Sequence, residues 1–400
     1  MNRKFISTGH LIDSGILSSI LNLIIDDGAD YQIVRFDLGK EHKEESYLEI
    51  EVFTNTEEQL ASLTPKLVRH ACYEKSAAEA VFFTAEYDKC APDNFYSTTN
   101  HRTEIFKDGK WHKVLQQRMD ASIVLTDKGF ICRKLRDIKK GDKILTNAES
   151  VRVFPPTSLT AKEDFGFMSG DVSSERASNM AVKRVADTFK EMKDQNKKVV
   201  VVAGPVVIHT GGGAALASLI KKGYISGLLA GNALAVHDVE SQYFGTSLGV
   251  DLKSGKPTHE GHKNHMKAIN RIYNHGSIKS AIEAGDIVDG LMYAVIKSGI
   301  PYCLAGSIRD DGPLPETEND MIKAQTEYAE IIKDASVVLM LSTMLHSIGT
   351  GNMLPSWVKT VCVDINPAVV TKLSDRGSSQ TIGIVSDVGL FLNRLDDLLD

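Results

Sequence analysis

VVVVAGPVVIHTGGGAALASLIKKG, residues 199–223, decides the fold. Four valines and an alanine form a continuous apolar run, the mark of a strand buried on both faces. A glycine-rich turn and a helix-like stretch follow. The segment reads as strand, turn and helix, an arrangement that points backbone N–H groups at an anion, most often a phosphate. Gly211, Gly212 and Gly213 do not follow the GxGxxG spacing of a dinucleotide fingerprint. Two readings therefore stand: a phosphate cradle with Gly212 and Gly213 against the ligand, or a bend that glycine permits.

The same rhythm continues to residue 400. SGLLAG (226–231), YCLAG (302–306), SVVLML (336–341), KTVCVDI (359–365) and TIGIVS (381–386) are short apolar runs, most of them followed by a helix-like stretch. Apolar strands alternating with amphipathic helices predict a doubly wound parallel sheet, an α/β domain over 161–400. Such sheets bind ligands at the carboxyl ends of their strands. Those ends carry Asn232, Ala233, His237 and Asp238; Ser307, Arg309, Asp310 and Asp311; Ser342, Thr343, Met344, Leu345 and His346; Asp364 and Asn366; and Ser386, Asp387 and Val388. One Asp or Thr at such a place is commonly a helix N-cap, but five polar ends in one domain favour a binding crevice. An acid closing a strand, here Asp364, accepts the two hydroxyls of an adenosine ribose and repels a 2′-phosphate, which selects NAD over NADP. Its alternative role is to cap the helix opened by Asn366 and Pro367.

Residues 237–276 gather His237, His259, His262, His265 and His275. The HxxHxxH spacing with Glu260 invites a metal, but steps of three residues drift by about 60° around a helix and separate the first and third imidazoles. HEGH is also one residue short of the HExxH pattern, so no metal is expected. The loop 245–263, rich in Gly, Lys, Pro and Thr, reads instead as a mobile flap. Lys256, His259, Lys263 and Asn264 are then candidates for a substrate carboxylate or for proton traffic.

Toward the N-terminus, a strand at GHLID, a helix at 14–28, strands at 31–39 and 46–54, a helix at 57–71 and a last strand at 80–88 give β-α-β-β-α-β, a ferredoxin-like α+β unit over 1–88. It shows no catalytic cluster and reads as a regulatory or oligomerising sheet. Residues 89–160 turn to short alternating segments, including a hairpin closed by Asp108 and Gly109, and predict a small all-β module. The cations of RDIKKGDKIL (136–145) form a solvated face, with an acidic partner as the alternative. Pro155 and Pro156 stiffen the connection onward, and a helix begins near Ser173 or Ser174 with Glu175 in its first turn.

With 42% hydrophobic and 24% charged residues the chain can bury large cores. A net charge of -6 without a basic tract excludes nucleic acid as partner. No apolar run approaches the roughly 18 to 20 residues that a bilayer requires. The N-terminus breaks into Gly, His and Asp where a signal peptide would be apolar. Five cysteines without a CxxC pair argue against zinc and disulfides. The expected compartment is the cytoplasm.

AGPVVIHTGGG (203–213), LAGNALAVHDVE (229–240), GIPYCLAGSIRDDGPLPE (299–316), LSTMLHSIGTGNMLP (341–355) and VCVDINPAVVTKLSDRGSSQTIGIVSDVG (361–389) resemble the archaeal type of ornithine cyclodeaminase. That family is similar to the C-terminal part of the cyanobacterial bifunctional arginine dihydrolase and ornithine cyclodeaminase. Residues 5–100 resemble the conserved region named after lysine-oxoglutarate reductase and saccharopine dehydrogenase. The crystallin-like ornithine cyclodeaminases are a different family, and their catalytic residues do not carry over. The guanidine-cleaving domain of the bifunctional protein would precede Met1, so arginine hydrolysis is not expected.

The resemblance implies a tightly held NAD in a domain similar to that of deoxyhypusine synthase. The family's contacts fall on Asn232, Ala233, Asp310 with Asp311, Thr343, Met344, Leu345, His346, Asp364, Asp387 and Val388. It also implies internal redox, in which ornithine yields proline and ammonia and no external oxidant is consumed. A homo-oligomer is expected. Amines with pKa values far above neutrality must lose protons to react, which calls for a carboxylate or imidazole base. Asp310 or Asp311 leads as that base, with His259 or His346 behind, and Lys263 joins the catalytic set through the substrate carboxylate or proton traffic. The alternatives are an NAD-dependent dehydrogenase of another amino acid and an NAD-sensing protein without turnover.

Overall fold

The computed structural model describes residues 1–12, 14–39, 44–154, 174–259, 261–310, 312–376 and 381–400, without the side chains of 174–178 and 374–376. The chain forms two compact units, 1–164 with 352–357 and 165–351 with 358–400.

The first unit opens with β1 (Asn2–Gly9), α1 (Ile16–Asp26), β2 (Asp30–Asp37), β3 (Ser46–Phe53), α2 (Glu57–Arg69) and β4 (Cys72–Glu74). Its antiparallel sheet has the order β2-β3-β1-β4, which is the ferredoxin-like arrangement. The apolar stripes of both helices, Ile20, Ile24, Leu60, Leu63 and Leu67, close on Phe5, Leu48, Ile50 and Val52. Thr56 starts α2 by accepting the Gln59 N–H, as a threonine N-cap does.

Two strands differ from expectation. The first begins at Asn2 rather than at GHLID, because its polar outer face hides the alternation. The last is the three-residue β4, too short to show a period, whereas 80–88 supplies β5 (Phe82–Thr84) to another sheet.

β6 (Arg102–Lys107), β7 (Lys110–Lys113), β8 (Ser122–Thr126), β9 (Gly129–Arg133), β10 (Lys143–Leu145) and β11 (Val151–Phe154) follow. They build antiparallel sheets β5-β10-β8-β9 and β11-β6-β7. The β6–β7 turn is Asp108–Gly109, with φ of 53° and 72°, both left-handed as a tight hairpin needs. The Glu79 carboxylate accepts both of their N–H groups at 2.9 Å. Residues 352–357 return to this unit, where the Ser356 N–H donates to Asn100 O at 2.9 Å.

The second unit contains α3 (Ser174–Asp194), β12 (Lys198–Ala203), α4 (Val206–His209), α5 (Gly213–Lys221), β13 (Gly227–Gly231), α6 (Asn232–Phe244), β14 (Thr246–Ser247), β15 (Val250–Asp251), α7 (Asn264–His275), α8 (Ile278–Glu283), α9 (Leu291–Ser298), β16 (Tyr302–Ala305), β17 (Thr317–Glu318), α10 (Met321–Ile331), β18 (Ala335–Leu341), α11 (Met344–Gly351), β19 (Lys359–Asp364), α12 (Pro367–Arg376), β20 (Thr381–Val385) and α13 (Val388–Leu398). Pro155, Pro156 and Ser173 lie outside the described residues, as do the side chains of Ser174 and Glu175.

Seven parallel strands form one sheet, β17-β16-β13-β12-β18-β19-β20. The run Val199–Ala203 lies at its centre and is buried throughout, each valine contributing roughly 1.5–3 kcal/mol of transfer free energy. The chain builds outward from β12 to β17, returns to β18 beside β12, and builds outward the other way. The strand order therefore reverses between β12 and β18, the place where open α/β sheets leave a crevice.

The glycine run does not follow β12 directly. Gly204 and Pro205 lead into the four-residue α4, and Gly211–Gly213 come after it. A Cβ on Gly212 would stand 2.9 Å from Leu392 Cδ1 and 3.1 Å from Gly389 Cα, and one on Gly213 would stand 2.9 Å from Ile208 Cδ1. The close approach of the Gly389 backbone on α13 accounts for Gly212, whereas Gly213 meets only the tip of the Ile208 side chain. Among the described residues no helix is long and apolar enough to cross a membrane.

Candidate active site

The floor of the crevice is the pair of chain exits from β12 and β18. The Gly204 N–H donates to Leu341 O at 2.9 Å and the Ser342 N–H to Val363 O at 2.9 Å. Ser342 takes φ of 46°, a left-handed conformation unusual for a serine. It brings the Ser342 carbonyl so close that a Cβ on Gly204 would stand 2.3 Å from its oxygen. Only a glycine tolerates so close an approach of the two chain exits.

On the β13 side, Asn232 opens α6 and is buried. Its Oδ1 accepts from the Leu314 N–H at 3.0 Å and the Thr317 hydroxyl at 2.9 Å, which ties down the loop after β16. The preceding Gly231 gives α6 no side-chain cap. Asp238 is buried and accepts from the Leu291 and Met292 N–H groups, so it caps α9; burial pushes its carboxyl up to about 6, against the pull of those two bonds.

The Tyr328 hydroxyl donates to Ala230 O at 2.8 Å and meets His346 Nδ1 at 3.0 Å. A carbonyl can only accept, so the phenol proton goes to Ala230 and Nδ1 carries the hydrogen of the second bond. His346 Nε2 is then the basic atom, next to Gly231, where a Cβ would stand 2.9 Å from it. Burial holds the imidazole below its usual pKa, with the Asp310 charge working in the other direction. Asp310 itself accepts the Ser307 N–H on Oδ2 at 2.7 Å, as a turn-forming acid does.

On the far side, Asp364 ends β19 half-buried, and its Oδ1 accepts the Asn366 N–H at 2.8 Å. Asn366 Oδ1 in turn accepts the Ala368 N–H at 3.0 Å. The cap of α12 is therefore Asn366, which leaves the second Asp364 oxygen outside that role. Asp387 caps α13 through the Leu390 N–H at 2.9 Å, and Val388 behind it is buried. Apolar side chains stand exposed at these ends: Ile308, Met344, Leu345, Ile365 and Leu390. Exposed hydrophobics at the carboxyl ends of several strands suit a flat organic ligand.

Three family models cover the chain: the Rossmann-fold C-terminal region of ArgZ-like arginine dihydrolase over 183–395, more than half of the chain; the first C-terminal region of the same group over 102–182; and the conserved region of the bifunctional LOR/SDH enzyme over 3–101. An ornithine cyclodeaminase from Methanocaldococcus jannaschii is 48% identical over 98% of this chain and 95% of its own length. The chain belongs to the archaeal ornithine cyclodeaminase family. The bifunctional arginine dihydrolase/ornithine cyclodeaminase AgrE of Nostoc sp. is 47% identical over 98% of this chain, which spans 57% of that longer protein. A crystal structure of AgrE in a ternary complex with ornithine and NAD+ is similar at a TM-score of 0.56 and 44% identity, over 100% of this chain and 57% of that one.

In this member of the ornithine cyclodeaminase family the fold brings Asn232, Ala233, Thr343, Met344, Leu345, His346, Asp364, Asn366 and Asp387 to the carboxyl edge of one sheet. Asp311 and Glu260 lie outside the described residues. The flap expected to be mobile carries the β14–β15 hairpin, anchored where Thr246 Oγ1 and the Leu248 and Gly249 N–H groups donate to Glu240. His259 and Lys263 are exposed beyond it. Among the described residues no group of three or more His, Cys, Asp or Glu side chains is arranged to hold a metal ion. Sequence reasoning missed Gly204, Tyr328, His209 and Glu240. The HxxE spacing of His237 and Glu240 on one helix was the available signal for the last.

Proposed function

We propose that the chain converts L-ornithine to L-proline and ammonia in the crevice above β12 and β18, with NAD reduced and reoxidised within each turnover. The observation that carries this reading is the match, nearly end to end in both chains, with an archaeal ornithine cyclodeaminase.

The residues fit NAD. Gly204 lets the exits of β12 and β18 meet closely, the N-terminus of α6 lacks a side-chain cap, and Asp364 closes β19 beside the exposed Ile365. Asp364, with Asn366, Asp387 and Val388 beside it, would hold the adenosine end; Thr343 to His346 would hold the middle; Asn232, Ala233 and Asp311 would hold the nicotinamide end. Gly212 and Gly213 contribute by packing the helices behind the floor. When bound, NAD would accept a hydride from the ornithine α-carbon and return it to the cyclic imine.

The chain's own part is to hold the diamine, exclude water and move protons. His346 presents Nε2 as a neutral base, and Asp310 adds a negative charge that favours its protonated form. Lys263 and His259 are assigned to the substrate carboxylate. Residues 1–88 form the oligomerising domain, 89–160 the small β module and 161–400 the coenzyme domain of a cytoplasmic homo-oligomer.

The test is incubation of purified protein and NAD with ornithine and, separately, lysine, following ammonia, proline and NADH absorbance together. Equal ammonia and proline from ornithine without net NADH is the expected result. Steady NADH formation, or NAD binding without turnover, overturns the reading. Light scattering of the purified protein tests the oligomer.

A further inference from the structure

A second group of titratable side chains stands beside the crevice, on the β13 side. Glu240 is 0% exposed, and its carboxylate accepts from His237 Nδ1 at 2.9 Å, Thr246 Oγ1 at 2.8 Å, Gly249 N at 2.9 Å and Leu248 N at 3.2 Å. Burial works to raise its pKa, but the bonds from His237, Gly249 and Thr246 hold it below the ordinary carboxylate range. Glu240 is thus an enclosed anion. A carboxylate with no proton can only accept, so Nδ1 of His237 carries the hydrogen and Nε2 is left as the basic atom.

The surroundings of His237 come from two other elements. The His209 ring on α4 meets it edge to face at 4.7 Å, and the His265 ring on α7 stands 6.4 Å away. His209 Nδ1 is engaged by the Ser247 hydroxyl at 2.6 Å, and burial, then the charge of His237, push it down to about 4. It is neutral near pH 7 and adds no competing charge. Asn264 Nδ2 donates to Thr246 Oγ1 at 2.9 Å, which extends the network from α7 through Thr246 to Glu240.

The place matters as much as the contacts. His209 lies on the helix that leaves β12 beyond Gly204, and His237 lies on the second turn of the helix that leaves β13. From β19, where Asp364 ends, to β13 is three strand spacings, roughly 14 Å. The dyad therefore flanks the end of the crevice opposite the ribose acid.

We propose that His237, oriented by Glu240, is the proton carrier between the two nitrogens of ornithine during ring closure, a proposal that rests on the ornithine cyclodeaminase reading. Once the α-carbon belongs to an iminium, C=NH2+, a proton leaves the δ-ammonium for Nε2. The freed lone pair forms the ring C–N bond as the C=N π pair moves onto the α-nitrogen. Nε2 returns its proton to the α-nitrogen, then takes one from the ring nitrogen. The ring lone pair restores a C=N bond as the exocyclic C–N bond breaks, and ammonia carries the last proton away from Nε2 as ammonium. No net proton is consumed and no further oxidant is needed. His237 is the catalytic residue in this step, and Glu240 is a positioning residue that sets its tautomer.

The experiment compares wild type, His237→Asn, His237→Gln and Glu240→Gln as holoenzymes, by stopped-flow absorbance of NADH and by ammonia release. Either His237 variant should still reduce bound coenzyme on mixing with ornithine, but release ammonia at least ~100-fold more slowly, within the range of a lost general base. NADH should then accumulate, which a loss of general packing would not produce. Glu240→Gln should slow ammonia release without raising the KM for ornithine.

A second readout needs no turnover. With 15N-labelled histidine, the resonance that disappears in His237→Asn should report hydrogen on Nδ1, and 2-methylornithine, which has no α-hydrogen, should shift its Nε2 signal. Ammonia release within twofold of wild type in whichever His237 variant folds, or an Nε2 signal indifferent to 2-methylornithine, overturns the proposal. A wild type that releases no ammonia from ornithine overturns the functional reading instead, so the two failures are distinguishable.

Discussion

Gly204 and Ser342 close on each other where the sheet reverses, with room for a hydrogen but not for a methyl group between the Gly204 α-carbon and the Ser342 carbonyl. A Cβ there would lie 2.3 Å from the oxygen and 3.0 Å from Thr343 Cβ. Gly204→Ala must push the loop after β18 away from the floor. The expected cost is about 1–3 kcal/mol, as for other overpacked sites, together with weakened NAD binding. Denaturant unfolding and a calorimetric NAD titration check this, and wild-type values in both would show that the loop yields freely.

Asp364 has one oxygen on the Asn366 N–H and the other available for a ribose. Asp364→Ala should lower NAD affinity at least tenfold with little change in the unfolding midpoint, because Asn366 still caps α12. Asp364→Asn should narrow the preference for NAD over NADP, since the repulsion of a 2′-phosphate is gone. Unaltered affinity in the alanine variant removes Asp364 from the ribose site.

Tyr328 reaches across 98 residues of sequence to Ala230 and fixes the tautomer of His346. Tyr328→Phe deletes one hydroxyl and should cost about 1 kcal/mol of stability. Turnover should fall about tenfold, toward the low side of a general-base contribution, while NAD affinity stays as it was. A parallel loss of affinity would assign Tyr328 to coenzyme binding instead.

His101 and His209 are each held down to about 4, by burial first and by a neighbouring histidine second. An unfolded histidine titrates near 6.5. Between those values the unfolded chain binds protons that the folded chain refuses, so stability present above about 6.5 is lost as the pH falls toward 4. The thermal midpoint should be flat above neutrality and decline through that window, less steeply in His209→Gln. A midpoint constant from pH 7 to 4 contradicts both assignments.

The parallel sheet was legible because strands buried on both faces cannot afford polar residues: 199–203 and 336–341 read as strands from their side chains alone. Its carboxyl ends were legible for the same reason, since polarity returns where burial stops. β4 was not, because three residues carry no period. The glycine run was ambiguous because its composition suits both a phosphate cradle and the close approach of α13, and the Leu392 and Gly389 contacts that account for Gly212 come from far along the chain. Tyr328 was silent because its partners lie far away in the chain. Asp310 drew attention through its charge, yet a turn-forming acid carries the same charge as a base.

The six residues 352–357 belong to the first unit although 351 and 358 belong to the second. During synthesis the ribosome adds the 187 residues 165–351 before that strip becomes available, so the N-terminal unit must wait, incomplete, for a piece encoded far downstream. A gene fragment stopping at codon 164 would lack it, and supplying 352–357 on a separate peptide should restore what the fragment is missing.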